Sequence, residues 1–375
     1  MIYRFFFFAL CCVGFSTYSA SSAITHTSRR ASAPIADSTA SASSAPVIKI
    51  GGYVDMYYAM DNDKGDNRAL TEVLNLERNK FDINIASIYA EVTAEKYRGR
   101  IAIQNGEVVR VSWTSPFTFF PSIQEAYGGV RIADGVWLDV GYFFTHIGGE
   151  TVLAKDNWFS SLALTTIYEP FYQAGARLTY DPSDKVTLQL HLLNGYNRLE
   201  DNNANKSIGW LIGYHPNADF SANLTGIVGN EQDADQRGAL RVYNDFNMTW
   251  QITPKFGIKV ESDFGIQGAT PLVNNNQSTL MWSALLGARY SFSDQWSFSG
   301  RAEYYNDQKG MLTAPIIKGS VLTGCLEFRP VPNAYLRWEG RFMNLDKTTS
   351  SIFTGSNGLP TNTRFGATMN FGLFF

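Results

Sequence analysis

Apolar and polar residues alternate along most of the chain after residue 46, in segments of strand length. The last segment, Arg364 to Phe375, shows the alternation most clearly, and only Phe374 interrupts it. A period of two predicts a β-strand with one apolar face. In a closed transmembrane barrel such a last strand pairs with the first strand, so that its apolar face meets lipid instead of forming an open sheet edge.

The same pattern predicts about sixteen strands, an even number typical of single-chain outer-membrane barrels. The predicted strands are 48–60, 80–93, 97–104, 123–132, 136–144, 171–180, 186–194, 207–214, 220–228, 240–251, 256–264, 280–292, 296–305, 318–328, 334–343 and 364–375. In the second of them the apolar phase shifts near Ala86, which predicts a β-bulge.

Long and short connections alternate between these strands. The short ones are rich in Pro, Asp, Asn and Gly, as in the turn Asp134-Gly135. The predicted long ones are 61–79, 105–122, 146–170, 195–206, 230–238, 266–278 and 345–362. This alternation favours a transmembrane antiparallel β-barrel, with short periplasmic turns and long extracellular loops, over the alternative, a soluble β-sandwich.

Composition agrees with a barrel. Aromatic residues make up 14% of the chain, and several flank the short turns, as Tyr214, Trp250 and Trp296 do, where a barrel carries an interfacial girdle. Beyond the N-terminus, no stretch is apolar enough for a membrane helix. The net charge is −3, so nothing suggests a nucleic-acid partner.

The first residues predict export. Arg4 precedes an apolar run from Phe5 to Phe15, and small residues follow, which is typical of a signal peptide over residues 1–23. Residues 24–46 are rich in Ser, Ala and Thr and predict a flexible periplasmic tail, with a helical periplasmic arm as the alternative. The barrel is predicted over residues 47–375.

Several short runs resemble a known family, the OmpL-like outer-membrane β-barrel porins. The matching runs are Asn79 to Asn84, Ile123 to Tyr127, Gly141 with Phe143, Thr145, Gly148 and Glu150, then Pro170, Phe171 and Gly175, and Asn194-Gly195-Tyr196. This resemblance implies an outer-membrane channel with no fixed substrate. The last strand also resembles the terminal strand of Gram-negative outer-membrane proteins, which implies that the insertion machinery reads the strand ending at Phe375.

Catalytic and cofactor motifs are missing from the sequence, so neither an enzyme nor a bound metal or cofactor is predicted. Among the 4 His residues, His191 is the one candidate partner for a serine in a barrel hydrolase. The favoured interpretation of His191 is a residue that lines the pore.

Charged residues occupy the polar face of many strands, where they would avoid lipid. The predicted pore-lining or constriction residues are Arg98, Arg100, Arg131, Arg177, Glu125, Asp139, Glu150, Lys155, Asp156, Arg301, Arg337, Arg341 and Arg364. Two interpretations stay open: a solvated wall whose charges neutralise each other, or a transverse field between a basic wall and acids on an inserted loop.

The connection His146 to Pro170 is predicted to be that inserted loop. It combines Glu150, Lys155 and Asp156 with an apolar run that an exposed loop does not need. Its acids would then face Arg98, Arg100 and Arg131. Alternatively, its apolar residues cap the barrel mouth or contact a neighbouring subunit.

The sequence thus predicts a porin in the outer membrane, surrounded by lipid and open to passive diffusion of small hydrophilic solutes. The alternative is a surface-exposed structural or binding barrel, adhesin-like, with a closed lumen. Association into homotrimers is predicted from small residues on the outer face, namely Gly300, Ala302, Gly324 and Gly340.

Overall fold

The computed structural model describes residues 45–65, 68–113, 120–201, 203, 205–231, 240–268 and 278–375. The predicted signal peptide and almost all of the predicted tail lie outside these residues and stay predictions. The first strand begins at Val47, the residue at which the barrel was predicted to start. Among the described residues, no helix is both long and apolar enough to cross a bilayer.

Sixteen antiparallel strands form a closed barrel, as the alternating pattern predicted. They are β1 (Val47–Asp61), β2 (Phe81–Thr93), β3 (Tyr97–Asn105), β4 (Ile123–Ala133), β5 (Val136–Phe144), β6 (Tyr172–Ser183), β7 (Val186–Leu193), β8 (Ser207–Asn217), β9 (Phe220–Asn230), β10 (Leu240–Thr253), β11 (Phe256–Gln267), β12 (Thr279–Ser291), β13 (Trp296–Asn306), β14 (Lys318–Val331), β15 (Ala334–Leu345) and β18 (Thr363–Phe374).

Short elements lie in the connections. A two-stranded sheet of β16 (Phe353–Thr354) and β17 (Pro360–Thr361) precedes the last barrel strand. The helices are α1 (Glu107–Ser112) and α2 (Leu164–Tyr168), and single 3-10 turns occur at Arg68–Leu70, Phe120–Ser122 and Ala154–Asp156. The strands are joined by long and short connections in alternation, so the barrel has a long-loop end and a short-turn end. The segment 307–317 is a further long connection, which the sequence analysis did not include.

The barrel closes between its first and last strands, as predicted. The register runs from Tyr53 opposite Phe374 to Asp61 opposite Gly366. Beyond the last residue of β18, Phe375 exchanges two backbone hydrogen bonds of 3.1 Å with Gly52. Closure satisfies the backbone groups of both edge strands, which lipid would otherwise leave without partners.

A β-bulge in β2 confirms the predicted phase shift, close to Ala86. Asp55 pairs with Ile85 while the next residue, Met56, pairs with Ile83, so Asn84 is the extra residue. Its side chain points into the barrel and donates a hydrogen bond of 2.8 Å to Asp55. The bulge thus adds a buried polar group to the interior.

The two faces of the barrel differ in chemistry. Outward side chains are large and apolar, and many are exposed, such as Ile101, Leu286, Leu322 and Phe365. Aromatic rings cluster outside the short-turn end, where Trp296 lies 4.6 Å from Phe328 and 6.2 Å from Trp338 between ring centroids. This is the position predicted for the girdle. Inward side chains are mainly charged or polar, and most of them are buried.

Candidate functional site: the barrel interior

Three connections from the long-loop end enter the barrel. We call residues 68–76 the first inserted segment, residues 107–113 the second and residues 146–170 the third. Their apolar side chains form one buried cluster, to which Leu74, Val108, Trp113, Leu153 and Leu164 contribute. The apolar run of the third segment is therefore buried inside the barrel, in the place predicted for it.

One arginine of β15 holds the middle of the third inserted segment. Arg337 donates hydrogen bonds to the carbonyl oxygens of Ala154 and Asn157, both at 2.7 Å, and to that of Phe159 at 2.9 Å. Its charge is balanced by Glu327 at 2.7 Å. A guanidinium carries five donors in a rigid fork, so it can bind several carbonyl groups and a carboxylate together.

Acidic residues of the wall bind the backbone of the same segment. Glu339 accepts hydrogen bonds from the amides of Ser160 and Ser161, at 2.7 and 3.1 Å. Glu303 accepts one from the amide of Leu164 at 2.6 Å. The side chains of β13 and β15 thus satisfy a stretch of irregular backbone that would otherwise be buried without partners.

Glu150 joins the segment to β13. Its carboxylate lies 3.0 Å from the guanidinium of Arg301 and accepts a hydrogen bond from the amide of Ala163. Burial raises the pKa of Glu150, but the charges of Arg301 and Lys259 and the hydrogen bonds from Ala163 and Arg301 together outweigh burial and hold this pKa below its usual range. Glu150 therefore acts as a charged anchor inside the barrel.

These contacts correct the predicted arrangement of charges. Glu150 faces Arg301, and Lys155 and Asp156 pair with each other at 2.8 Å, so the acids of the third segment do not face Arg98, Arg100 or Arg131. The reason is the side of the barrel that the segment occupies. It packs on the inner face of β10–β15, which we call the covered wall.

Four of the predicted pore-lining arginines, on β13, β15 and β18, are buried. Arg301 is 2% exposed and Arg337 is 0% exposed, and Arg341 and Arg364 are also buried. The last two bind the first inserted segment, where Glu72 pairs with both. All four point inward as predicted, but inserted backbone covers them, so their positions favour anchoring.

The first inserted segment was not predicted to enter the barrel. Besides Glu72, it is held by Asn75, whose amide donates to Asn84 at the bulge of β2 and whose side-chain oxygen accepts from Asn370. The sequence does carry a signal for this: Leu70, Val73, Leu74 and Leu76 interrupt an otherwise polar loop. The same reasoning that was applied to residues 146–170 identifies this segment too.

The inner face of β3–β7 is less covered, and we call it the free wall. Asp139 binds Arg98 through both carboxylate oxygens at 2.7 Å and pairs with Arg177 at 2.8 Å. Arg100 pairs with Glu125 at 2.6 Å and with Glu91 at 3.1 Å. The three arginines are all half-buried. The free wall therefore presents arginines whose charges are matched by carboxylates.

Aromatic rings support two of these arginines. The guanidinium of Arg98 lies 4.4 Å from the ring centre of Trp137, and that of Arg100 lies 3.9 Å from the ring centre of Tyr89. Such cation–π contacts help to fix the position of a long charged side chain. Arg131 is different, because it lies exposed at the short-turn end and pairs with Asp134 of its own turn.

His191 lies on the inner face of β7 and is buried. Its ring stacks on His146 with 4.0 Å between centroids, and its Nε2 lies 3.0 Å from the side-chain oxygen of Gln189. His146 in turn contacts Gln173 and the carbonyl oxygen of Gly226. These contacts describe a packed histidine pair at the entry to the third inserted segment.

Four acidic side chains meet where the third segment joins the covered wall: Glu169 of that segment, Asp245 of β10, and Glu261 and Asp263 of β11. One oxygen of each carboxylate lies within 4.8 Å of the others. Burial raises the pKa of Glu169 well above its usual range, and so do the nearby carboxylates of Asp263 and Glu261. The four residues come from three elements and have no spacing motif in the sequence.

Comparison with known proteins supports the assignment of this fold. The barrel resembles the "Outer-membrane expressed OmpT of Vibrio cholerae" (TM-score 0.57, 12% identity, 89% of this chain and 99% of that chain). It also resembles the "Anion-selective porin from Comamonas acidovorans" (TM-score 0.57, 11% identity, 88% and 100%). A third similar structure is "Salmonella typhi OmpF complex with Daunomycin" (TM-score 0.55, 12% identity, 88% and 97%).

At such identities these structures bear on the fold alone, and no curated protein matches the sequence. The sequence itself matches one family model, described as "Putative beta-barrel porin-2, OmpL-like", over residues 47–374. That match begins at the first residue of β1 and ends at the last residue of β18. The chain therefore belongs to the OmpL-like family of β-barrel porins.

Proposed function

We propose that this protein is a narrow outer-membrane channel through which small hydrophilic solutes diffuse passively. The observation that carries the proposal is the one-sided packing of the third inserted segment. Arg337, Glu339 and Arg301 hold it against the covered wall, while the arginines of the free wall stay partly exposed. Solutes would pass between the inserted segments and the free wall.

The free wall suits polar solutes. Arg98, Arg100 and Arg177 carry fixed positive charges whose positions are set by Asp139, Glu125 and aromatic rings. A solute that sheds part of its hydration shell in a narrow passage can replace it with hydrogen bonds to such groups. A pore of this kind favours small solutes over large ones and admits apolar molecules poorly.

A second candidate function is a structural or binding barrel with a closed lumen. The observation in its favour is the apolar cluster that the three inserted segments form inside the barrel, with Leu74, Trp113 and Leu164 buried in it. In such a barrel the long loops would engage a partner, and no ions would cross. The two candidates differ in a directly measurable property, ion conductance.

Planar-bilayer recording of the purified, folded protein separates them. For a channel we expect stepwise currents, and replacement of residues 152–164 by a short Gly-Ser linker should raise the single-channel conductance and the size limit for solutes in liposome swelling. The matched control shortens the exposed hairpin tip at residues 355–358. An absence of current from folded wild-type protein would favour the closed barrel, and unchanged conductance in the linker variant would show that this segment is not the constriction.

We further propose that the barrels associate as homotrimers in the outer membrane. Gly300, Gly324 and Gly340 lie directly opposite one another on β13, β14 and β15, and Ala288 and Ala367 continue the row on the strands to either side. Because these residues have small side chains, two barrel surfaces can approach closely along this row. One of the similar structures is titled as a trimer form of the Vibrio cholerae protein.

A further inference from the structure

The acidic side chains at the junction of the third inserted segment and the covered wall leave many acceptors unused. Neither oxygen of Glu261 or Glu169 accepts a hydrogen bond, although these residues are only 1% and 3% exposed. Asp245 and Asp263 each have one further oxygen without a partner. Six buried carboxylate oxygens therefore lack a donor among the described residues.

The other two oxygens of the cluster belong to Asp245 and Asp263, and they are well satisfied. One oxygen of Asp245 accepts hydrogen bonds from the amide of Gly148 at 3.1 Å and from the side chains of Thr225 and Asn247. One oxygen of Asp263 accepts from Thr165 and Ser283. These bonds hold the carboxylates of Asp245 and Asp263 in place, and each keeps one oxygen without a partner.

Such an arrangement of like charges is costly unless something compensates it. Lys259 is the cation that acts on Glu261, but its ammonium group donates to the carbonyl oxygen of Gly149. One lysine cannot balance four buried carboxylates. A buried carboxylate such as that of Glu261, without any donor, is neutralised either by a proton or by a bound cation, and four converging carboxylates can share one cation.

We propose that Glu169, Asp245, Glu261 and Asp263 bind a divalent cation, and that this cation is Ca²⁺. The donors are all oxygen atoms, as hard cations require, and nitrogen and sulfur ligands for zinc or copper are not among them. Oxygens within 4.8 Å of one another can all reach a Ca²⁺ ion at about 2.4 Å, and a buried set of four protein carboxylates suits Ca²⁺ better than Mg²⁺, which usually keeps several waters.

The position of the site indicates what the cation does. Glu169 lies at the end of the third inserted segment, and Gly148 near its start is bonded to Asp245. The cation would therefore tie both ends of this segment to β10 and β11. Bound Ca²⁺ fixes the segment on the covered wall. The effect of the cation on permeation rests on the proposed channel function, whereas the binding of Ca²⁺ does not.

Isothermal titration of CaCl2 into the full-length mature protein tests the binding. The protein is refolded in detergent without lipopolysaccharide and treated with EDTA first. We expect one Ca²⁺ site, with an affinity at least about tenfold weaker in Glu261→Gln and in Glu169→Gln, because each removes a charged ligand. The matched control Asp219→Asn, an exposed carboxylate at the short-turn end, should bind as the wild type does.

Heat denaturation of the wild-type protein supplies a test that needs no variant to fold. Ca²⁺ should raise the unfolding temperature, and Mg²⁺ at the same concentration should raise it less. No calorimetric binding and no shift with millimolar Ca²⁺ would overturn the proposal, as would equal binding by Glu261→Gln and wild type. Ca²⁺ binding by a protein that carries no current would uphold the site and refute the channel.

Discussion

At the scale of single residues, Arg337 shows how the interior is stabilised. It is fully buried, yet every part of its guanidinium is used: Glu327 balances the charge, three backbone carbonyl groups accept its hydrogen bonds, and the ring of Tyr335 lies 4.2 Å from its central carbon. A buried charge is tolerated only with this degree of compensation. The residue connects the barrel wall to the third inserted segment.

Substitution of Arg337 by Ala should therefore destabilise the protein and loosen the third inserted segment. Three carbonyl groups would lose their donor and Glu327 one of its cations, at a cost of about 3 kcal/mol in the free energy of unfolding. Urea unfolding of the detergent-folded protein measures the loss, and bilayer recording should show higher or noisier conductance. Arg131→Ala, at an exposed position, is the control, and equal behaviour of the two variants would contradict the anchoring role.

Which way single residues point was predictable, because alternation in a strand places Arg301, Arg337 and Arg98 on the same side of the wall. What covers each of them was not. Whether an inward arginine meets water or inserted backbone depends on contacts between residues such as Arg337 and Asn157, far apart in sequence. No local pattern encodes that choice, so four predicted pore residues are buried anchors.

At the scale of elements, the strands were predictable because lipid outside and polar groups inside impose a strict alternation. Their bounds differ at both ends of the barrel. At the short-turn end β6, β8 and β14 each run three residues beyond the prediction, and at the long-loop end β11 runs to Gln267 where the prediction stopped at residue 264. The backbone hydrogen bonds between neighbouring strands continue there beyond the part of each strand that carries the apolar alternation. The first inserted segment was missed because its apolar residues are few, and because its polar anchors, Glu72 and Asn75, resemble ordinary loop residues in sequence.

Glu72 allows a test at this scale. It pairs with Arg341 and Arg364 from two strands, and the adjacent Arg68 is buried and donates to the carbonyl oxygens of Asn75 and Leu76. In Glu72→Gln the two arginines lose their nearest counter-charge, so the first inserted segment should open locally more often. Trypsin cleavage of the folded protein after Arg68 measures this opening.

We expect cleavage after Arg68 to be faster by about tenfold or more in Glu72→Gln, if the lost pairing raises the free energy of the closed segment by about 1.4 kcal/mol. Glu95→Gln, an exposed glutamate near the turn between β2 and β3, is the matched control. Identical cleavage rates in the two variants would show that Glu72 does not hold the segment inside the barrel.

At the scale of the whole molecule, the row of small residues on the outer face of the barrel offers a surface for association. A Cβ atom added at Gly300 would meet nothing within 4 Å, so Gly300→Leu should fold normally while filling the row. We expect native mass measurement in detergent to give trimers for the wild type and mainly monomers for this variant. Ala90→Leu, also on an exposed outer position, is the control and should remain trimeric. Trimers of Gly300→Leu, or monomers alone for the wild type, would remove the prediction.

The division of the interior into a covered wall and a free wall has a consequence for how such a protein can diversify. Residues that secure the fold, such as Arg337 and Glu303, are concentrated on one side, and half-buried residues such as Arg98, Trp137 and Gln189 on the other. If the proposed channel function holds, changes on the free wall can alter its permeability without disturbing the scaffold. Libraries randomised at these three positions should yield a larger share of folded barrels than libraries randomised at three anchors, and relatives of this chain can exploit the same freedom to acquire new solute preferences.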